Sequence, residues 1–513
     1  MTFKKLISLC EPIEVSGTEP DTIGVLTQDS RKVTDGSVFI AIRGTQVDGH
    51  DFIDAAIQKG ASVVISEESL KSDEEVCVIK VEDTRSLIGP LAQAFEGNPA
   101  EKLSVIGITG TNGKTTVATL AYQVLQKLDA KVSLLGTVDK RINDKKLESR
   151  LTTADPIELA ADMAQMVEAK SEFLVMEVSS HALDQERVKG IDFQVAAFTN
   201  LSHDHLDYHE NMKEYARSKK KLFDGLDSKA SAIINADDKY AELLASDCKA
   251  QITNFSFKNN PPVRRSFSEG GQPETRNPKH VTRNSPCQII SNSSKGLQIR
   301  VDETEIKSPL IGDFNAYNIA EAFLICRELG FEVENIAKAL ETATGASGRL
   351  ERIATEEGKP VVLVDYAHTP DALKNVLSTL AELKTSSQKL HVVFGCGGNR
   401  DKTKRPEMAR IAERYANGIT VTSDNPRNES PDSIIDDIMK GFEYPNKVQR
   451  ITDRREAIIH AIQAGDEQTM ILIAGKGHET YQEIKGKRYD FDDRQIAREA
   501  LENSNGNPKN EVA

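Results

Sequence analysis

The stretch Val105-Ile106-Gly107-Ile108-Thr109-Gly110-Thr111-Asn112-Gly113-Lys114-Thr115-Thr116 constrains this chain more than any other. An apolar run enters it and a glycine-rich turn follows. Val117, Leu120, Ala121, Val124, Leu125 and Leu128 then continue at helical i, i+3, i+4 spacing. The pattern predicts a strand, a loop and a helix. Glycines let the backbone wrap an anion, and the amides at a helix start face its negative charge. In that geometry Lys114 reaches the terminal phosphates of a nucleotide and the Thr115 hydroxyl holds Mg²⁺. The strict pattern asks for glycine where this chain has Ile108, so the expectation is an ATP site of variant form.

Strand-like and helix-like segments alternate elsewhere, which predicts an α/β protein with mainly parallel sheets. At 513 residues there is length for about three domains. Residues 1–99 make the first, with strands at Val38–Ile42 and Ala61–Ile65, a helix-like Phe52–Lys59 between them, and a linker at Glu96-Gly97-Asn98-Pro99. The central domain covers 100–345 and has further strands at Phe173–Met176, Val195–Phe198 and Ala230–Ile234. Within it, residues 258–295 are rich in Asn, Pro, Ser, Gly and Arg and read as a flexible insertion too polar to bury a core. The third domain, 346–513, begins near Gly348-Arg349-Leu350-Glu351 and ends in a polar, disordered tail over 503–513.

Composition narrows the class. Lys and Arg number 65 against 79 Asp and Glu, a net charge of −14, and no basic face shows on the folded segments, so no nucleic-acid partner is expected. The six cysteines lie far apart without a CxxC pair, which speaks against zinc binding and a disulfide framework. The apolar run after Met1 is too short for a signal peptide and no stretch approaches a membrane span, so the cytoplasm is the expected compartment.

A second cluster follows two of the central strands. Phe173–Met176 runs into Glu177-Val178-Ser179-Ser180-His181, with Gln185 and Arg187 close behind. Val195–Phe198 runs into Thr199-Asn200-Leu201-Ser202-His203-Asp204-His205-Leu206-Asp207-Tyr208-His209. Ligands of open α/β sheets gather beyond the carboxyl ends of strands, so both runs are expected to face the phosphate loop. Glu177 suits the metal bound to the nucleotide and His205 a second one. A lone histidine there reads as a capping group. Three histidines and two aspartates over residues 203–209 reverse that preference. Lys219, Lys220 and Lys221, taken alone, read as a solvated helix face.

These motifs resemble those of the ATP-dependent Mur ligases of peptidoglycan synthesis. Thr109–Thr116 matches that family's form of the phosphate loop. Glu177–His181, Asn200–Asp207, Gly312-Asp313-Phe314-Asn315-Ala316-Tyr317-Asn318 and Asp365-Tyr366-Ala367-His368-Thr369-Pro370 follow in the family's order. The resemblance spans essentially the whole chain except 258–295 and the tail. It implies a three-domain α/β fold: an N-terminal α/β uridine-binding domain, a central P-loop-type domain with a mainly parallel sheet and helices, and a C-terminal Rossmann-like α/β domain that closes over the central site. The implied cofactors are ATP and Mg²⁺; a monomer is the expected state. The branch it looks most like adds meso-2,6-diaminopimelate to the D-glutamate γ-carboxylate of UDP-N-acetylmuramoyl-L-alanyl-D-glutamate through an acyl phosphate.

The resemblance also assigns residues. Thr109, Gly110, Thr111, Asn112, Gly113, Lys114, Thr115 and Thr116 receive the ATP phosphates, with Asn318, Arg349, Asp365 and His368 around the nucleotide. Lys114, Glu177, His205 and Lys219 form the catalytic centre. Thr115, Glu177, His205 and Lys219, the last as a carbamate made with CO₂, hold metal. Lys219 stands four residues after Tyr215, as the family's pattern asks, and Lys220 is its nearest rival. Gln28, Ser30, Thr45, Gln46 and Val47 take the uridine end of the substrate, and Thr152, Thr153, Ser179, Gln185 and Arg187 its muramoyl-peptide end. Arg400, Asp424, Asn425, Pro426, Arg427, Gly475 and Glu479 form the amino-acid pocket, in which Glu479 pairs with the distal ammonium.

Asp-Asn-Pro-Arg alone is an ordinary turn sequence. In the family it marks acceptance of diaminopimelate, because the extra carboxylate suits the planar donor fork of arginine. An L-lysine-adding ligase is the nearest alternative within the class. Folylpolyglutamate synthetases and a non-catalytic ATP-binding regulator are the others. The uridine-type segments Gln28–Arg31 and Gly44–Gly49, together with Asp424–Arg427, weigh against the synthetases. Intact Lys114, Glu177, His205 and Lys219 weigh against the regulator.

Overall fold

Continuous Val, Ile and Leu runs such as Val105–Ile108, Val361–Val364 and Met470–Ile473 suit strands buried on both faces, and parallel sheets flanked by helices use them so. The computed structural model describes residues 1–44, 47–69, 76–149, 151–202, 208–258, 282–353 and 358–503. The chain divides into two compact units, the first holding Met1–Pro286 and Glu321–Ile336, the second Cys287–Ala320 and Ala337–Ala513.

The first unit contains two sheets. The N-terminal one has the strand order Glu14–Ser16, Cys77–Lys80, Ala61–Ser66, Ser37–Ile40, Leu26–Thr27, parallel except for the antiparallel Glu14–Ser16 edge. Val38, Ile40, Val63, Ile65 and Ile79 form its core with Leu91 and Ala92 of helix Thr84–Phe95. Ala160, on helix Pro156–Glu168, belongs to the same core. Residues expected over 1–99 and most of those expected over 100–345 lie in this unit.

The central sheet of this unit runs Gln251–Ser256, Ser231–Asn235, Phe193–Phe198, Ser104–Thr109, Phe173–Glu177, Val132–Leu135, all parallel, and then the antiparallel Lys140–Ile142 and Lys145–Leu147. Helix Lys114–Lys127 follows the middle strand and buries Val117, Leu120, Ala121, Val124 and Leu125, the face its spacing predicts. Reading 258–295 as a flexible insertion is corrected at its far end. Thr282–Ser293 is a strand whose first part pairs in parallel with Gln251–Ser256. Only Ser285 and Cys287 are buried along it, so ladder hydrogen bonds and not apolar alternation hold it, and composition gave no strand signal.

In the second unit, Cys287–Ser293 pairs with Gly296–Val301 and that strand with Thr304–Ser308, both antiparallel. The C-terminal sheet has the order Glu351–Ile353, Val361–Asp365, Thr469–Ala474, Lys389–Phe394, Gly418–Val421, Gln449–Arg450. All its strands are parallel except Glu351–Ile353. Leu363, Leu390, Val392 and Leu472 pack with helices on one face, and Val362, Val364, Val393 and Ile473 with helices on the other. The carboxyl ends of four parallel strands thus carry the loops that begin at Tyr366, Gly395, Thr422 and Gly475. Among the described residues no helix is long and apolar enough to cross a membrane.

Candidate active site

In the first unit, Ser104–Thr109 lies between Phe173–Glu177 and Phe193–Phe198, all three parallel. Their carboxyl ends form one rim with the chain departing to either side, the switch-point arrangement at which α/β sheets bind ligands. Two glycines make the turn there, Gly110 at φ +147° and Gly113 at φ +89°. A Cβ on Gly110 would stand 1.9 Å from Thr199 Oγ1. The neighbouring strand end needs that closeness, because it braces the loop. Thr199 Oγ1 donates to Asn112 O at 2.6 Å, Thr111 N–H to Asn200 O at 2.7 Å, and Asn112 N–H to Asn200 Oδ1 at 3.1 Å. Gly110→Ala is therefore expected to destabilise the fold by about 1–3 kcal/mol through backbone strain and overpacking. Urea unfolding, with nucleotide binding measured alongside, checks it; an unchanged midpoint would refute the bracing.

Helix Lys114–Lys127 opens without a side-chain cap, so its first amides remain at the loop. Lys114 Nζ donates to Gly110 O at 3.0 Å and Thr111 O at 2.8 Å. Thr115 Oγ1 donates to Glu177 Oε2 at 3.0 Å. Glu177, 1% exposed, also accepts from Thr137 N–H at 2.8 Å and Thr137 Oγ1 at 3.2 Å. The sequence reading missed Thr137. Its signal was present, since Val132–Leu135 is another apolar strand that ends in Gly136-Thr137 at the same rim.

Of the three consecutive lysines on helix Met212–Asp224, Lys219 alone is buried. Its Nζ donates to Gly110 O at 2.8 Å and stands 4.7 Å from the centre of the Tyr215 ring. Tyr215 and Lys219 share a face at i, i+4. Lys220 pairs instead with Asp224 and Asp247, and Lys221 with Asp184.

A connected network surrounds Glu177 on the remaining side. Thr153 Oγ1 donates to Glu177 O at 2.9 Å and accepts from Ser179 N–H at 3.1 Å. Arg187 donates to Thr153 O at 2.9 Å and, through Nε and Nη2, to Gln185 Oε1 at 3.1 and 2.7 Å. Thr152 Oγ1 lies 2.9 Å from Thr137 Oγ1. Thr152, Thr153, Ser179, Gln185 and Arg187 are thus brought to one place. Gln28 and Ser30 lie half-buried after strand Leu26–Thr27, where Lys59 Nζ donates to Ser30 O at 3.1 Å, and Val47 is 56% exposed. His205, Thr45 and Gln46 lie outside the described residues.

The second unit gathers the other residues in two groups. Asp424–Arg427 follows strand Gly418–Val421, and Gly475–Glu479 follows Thr469–Ala474. Asn425 Nδ2 donates to Glu479 Oε2 at 2.8 Å. Lys476, fully buried, donates to the same Glu479 oxygen at 3.0 Å and to Asn425 Oδ1 at 3.1 Å. Arg427 holds φ +51°, with its N–H on Glu483 O at 3.0 Å and its Nη1 on Gly398 O at 2.8 Å. Pro426 O is 2.0 Å from where a Cβ on Gly398 would stand, so these two loops touch through backbone. Arg400 lies exposed on the Gly398 loop.

Asp424 Oδ2 is buried with no hydrogen-bond partner among the described residues, and a Cβ on Gly475 would stand 2.6 Å from it. Beneath, the fully buried Arg454–Asp493 pair ties the two strand ends together, because Arg454 also donates to Ser423 O at 3.3 Å and Ala474 O at 3.1 Å. Sequence reading assigned no role to Lys476 or Arg454.

Arg349, Asp365 and His368 collect around Tyr366. The Arg349 guanidinium carbon lies 4.9 Å from that ring's centre and the His368 ring 4.5 Å from it. Burial pushes the Asp365 carboxyl up, opposed by Arg349 and by the Leu350 and Ala367 amides. The His368 imidazole, although exposed at the surface, is lowered by the desolvation its close neighbours impose, opposed by the Tyr366 carbonyl, and this favours its neutral form. Asn318 is buried on helix Asp313–Glu328 and donates to Asn315 Oδ1 at 2.9 Å; among the described residues no hydrogen bond joins it to the Tyr366 group.

Comparison with known proteins bears on this arrangement. The Mur ligase middle domain matches residues 108–326, the Mur ligase glutamate ligase domain 348–477, and the Mur ligase family catalytic domain 22–96. The chain is 42% identical to the UDP-N-acetylmuramoyl-L-alanyl-D-glutamate–2,6-diaminopimelate ligase of Cytophaga hutchinsonii, over 98% of this chain and 99% of that one. It is 43% identical to the ligase of the same name from Aquifex aeolicus, over 93% of each chain. A solved structure of a ligase of that name superposes with a TM-score of 0.71 at 30% identity, covering 99% of this chain and all of that one.

Proposed function

The chain belongs to the Mur ligase family, and from that premise we propose that it joins meso-2,6-diaminopimelate to the D-glutamate γ-carboxylate of UDP-N-acetylmuramoyl-L-alanyl-D-glutamate with hydrolysis of ATP to ADP and phosphate. The observation that carries the choice of amino acid is the Asp424–Glu479 cluster, which holds an arginine fork and a carboxylate in one group of loops. A second amino-acid centre, with its own carboxylate and ammonium, has those two complements. Lysine carries only the ammonium.

A carboxylate does not form an amide unaided. Its oxygen attacks the γ-phosphorus of ATP, the bond to the β-phosphate oxygen breaks, and ADP leaves an acyl phosphate. The amine then attacks the acyl carbon, a tetrahedral intermediate forms, and phosphate departs as the nitrogen loses its proton. Two anions meet in the first step, so fixed donors and cations carry much of its stabilisation. The loop amides and Lys114 supply them at the phosphates. Glu177 and Thr115 offer hard oxygens 3.0 Å apart, a donor set that fits Mg²⁺. When bound, that ion screens the phosphate charge. His205 and the Lys219 carbamate are assigned to a second ion. In that form Lys219 gains CO₂ at Nζ and gives up two protons in all, one from the ammonium and one as the N–C bond forms, exchanging a cation for an anion beside Gly110. Thr152, Thr153, Ser179, Gln185 and Arg187 orient the peptide end, and Gln28, Ser30, Thr45, Gln46 and Val47 take the uridine end. Arg349, Asp365, His368 and Asn318 are assigned to the nucleotide. The cytoplasm, which supplies ATP and the nucleotide-linked acid, is the compartment this reading requires.

Phosphate release is the test. It is expected only when both UDP-muramoyl-dipeptide and an amino acid are present, with kcat/KM for meso-diaminopimelate at least about 100-fold above that for L-lysine. Comparable values for the two amino acids would overturn the assignment. Release driven by a folate in place of the dipeptide would favour a different ligase.

A further inference from the structure

Lys476 has no exposed side-chain surface, a costly position for an ammonium unless its partners are well placed. The backbone puts it there. Gly475 at φ +121° and Gly477 at φ +53° flank it, and Glu479 N–H closes the turn on Lys476 O at 3.0 Å, which turns the side chain inward. Its Nζ bridges Glu479 Oε2 at 3.0 Å and Asn425 Oδ1 at 3.1 Å, while Asn425 Nδ2 reaches that same Glu479 oxygen at 2.8 Å. The three groups form a closed triangle.

Its consequence is directional. Asn425 Oδ1 also accepts from Glu483 N–H at 2.9 Å, so the amide is held by two donors at its oxygen and cannot flip without losing both. Glu479 Oε2 is taken by two donors as well. Among the described residues no hydrogen bond reaches Glu479 Oε1, and the side chain keeps 17% of its surface exposed, so Oε1 is the oxygen left for a ligand. Without Lys476, Glu479 keeps one donor, the Asn425 amide, which itself loses one of the two donors at its oxygen, so the carboxylate is held more loosely.

We propose that Lys476 is a positioning residue: it fixes the Glu479 carboxylate and the Asn425 amide, and through them sets which stereoisomer of a diamino diacid the pocket accepts. The inference rests on the proposed function. An ammonium on Oε1 and a carboxylate on Arg427 define two directions at one carbon, and the substrate chain defines the third. Three fixed directions distinguish the two configurations of that carbon; a loose Glu479 leaves two.

Lys476→Gln, which keeps a donor but not the charge, and Lys476→Met are compared with Glu479→Gln and the double variants. Expected for Lys476→Met is a rise of about 20-fold in KM for meso-diaminopimelate, with KM for ATP within about twofold, and a preference for meso over the LL isomer reduced at least about fivefold. Because Lys476 acts through Glu479, adding Lys476→Met to Glu479→Gln should cost no more than about twofold further. Lys476→Gln is expected between the wild type and Lys476→Met. Full additivity in the double variant, or unchanged isomer preference in a variant whose thermal midpoint equals that of the wild type, would overturn the proposal. If Lys476→Met does not fold, the same comparison on Lys476→Gln decides. A wild-type enzyme that ignores diaminopimelate would sink the proposed function instead, and that result is read before any variant is made.

Discussion

Lys219→Ala should lower turnover by at least about 100-fold, the scale of losing one group that stabilises charge at a transferring phosphoryl centre. The side chain is buried beside the phosphate loop, with its Nζ on the Gly110 carbonyl and near the Tyr215 ring. Gly110 O keeps Lys114 as a donor in the variant, so the loop retains its brace while the proposed carbamate carrier is gone. Short carboxylic acids are expected to restore part of the rate by entering the space vacated. Bicarbonate dependence of the wild-type rate, absent in the variant, is the companion measurement. Full activity of Lys219→Ala without any additive would remove this residue from the mechanism. Lys220→Ala is the control. That lysine's pairing with Asp224 and Asp247 faces a partly exposed surface, where ion pairs contribute little, so its kinetics should stay near those of the wild type.

Arg427→Ala is expected to reduce kcat/KM for meso-diaminopimelate by about 100-fold or more, since truncating one partner of a desolvated charge pair costs about 2–5 kcal/mol. KM for ATP and for the UDP-linked substrate should stay within about twofold. The left-handed backbone at Arg427, with its N–H and C=O engaged by Glu483 and Lys485, fixes where the guanidinium starts. Arg427→Lys should recover only part of the loss, because an ammonium is not a planar fork. Steady-state kinetics with each substrate varied in turn decide it, and equal losses for ATP and amino acid would count against a pocket role.

Much of this was present in local order. Six apolar residues at helical spacing after Gly113 specify the helix, and strand ends at Glu177, Asp365 and Gly475 follow from short Val-, Ile- and Leu-rich runs closed by polar or glycine residues. Backbone conformation responds to near neighbours, so periodicity and turn residues suffice for such elements. The strand Thr282–Ser293 escaped that reading, because its ladder is supplied by Gln251–Ser256 along its first part and by Gly296–Val301 along the rest, and not by its own composition.

Side-chain partnership belongs to the tertiary structure. Nothing in Lys-Lys-Lys distinguishes its members; packing of one helix face buries Lys219 beside Gly110 and leaves Lys220 and Lys221 to carboxylates elsewhere. Thr137 meets Glu177 only because Val132–Leu135 pairs with Phe173–Glu177. Lys476 becomes a buried hub only because the ends of Gly418–Val421 and Thr469–Ala474 come together over Arg454. Charge and hydrogen bonding act through distance, and distances between residues far apart in the chain exist only once the sheets have formed.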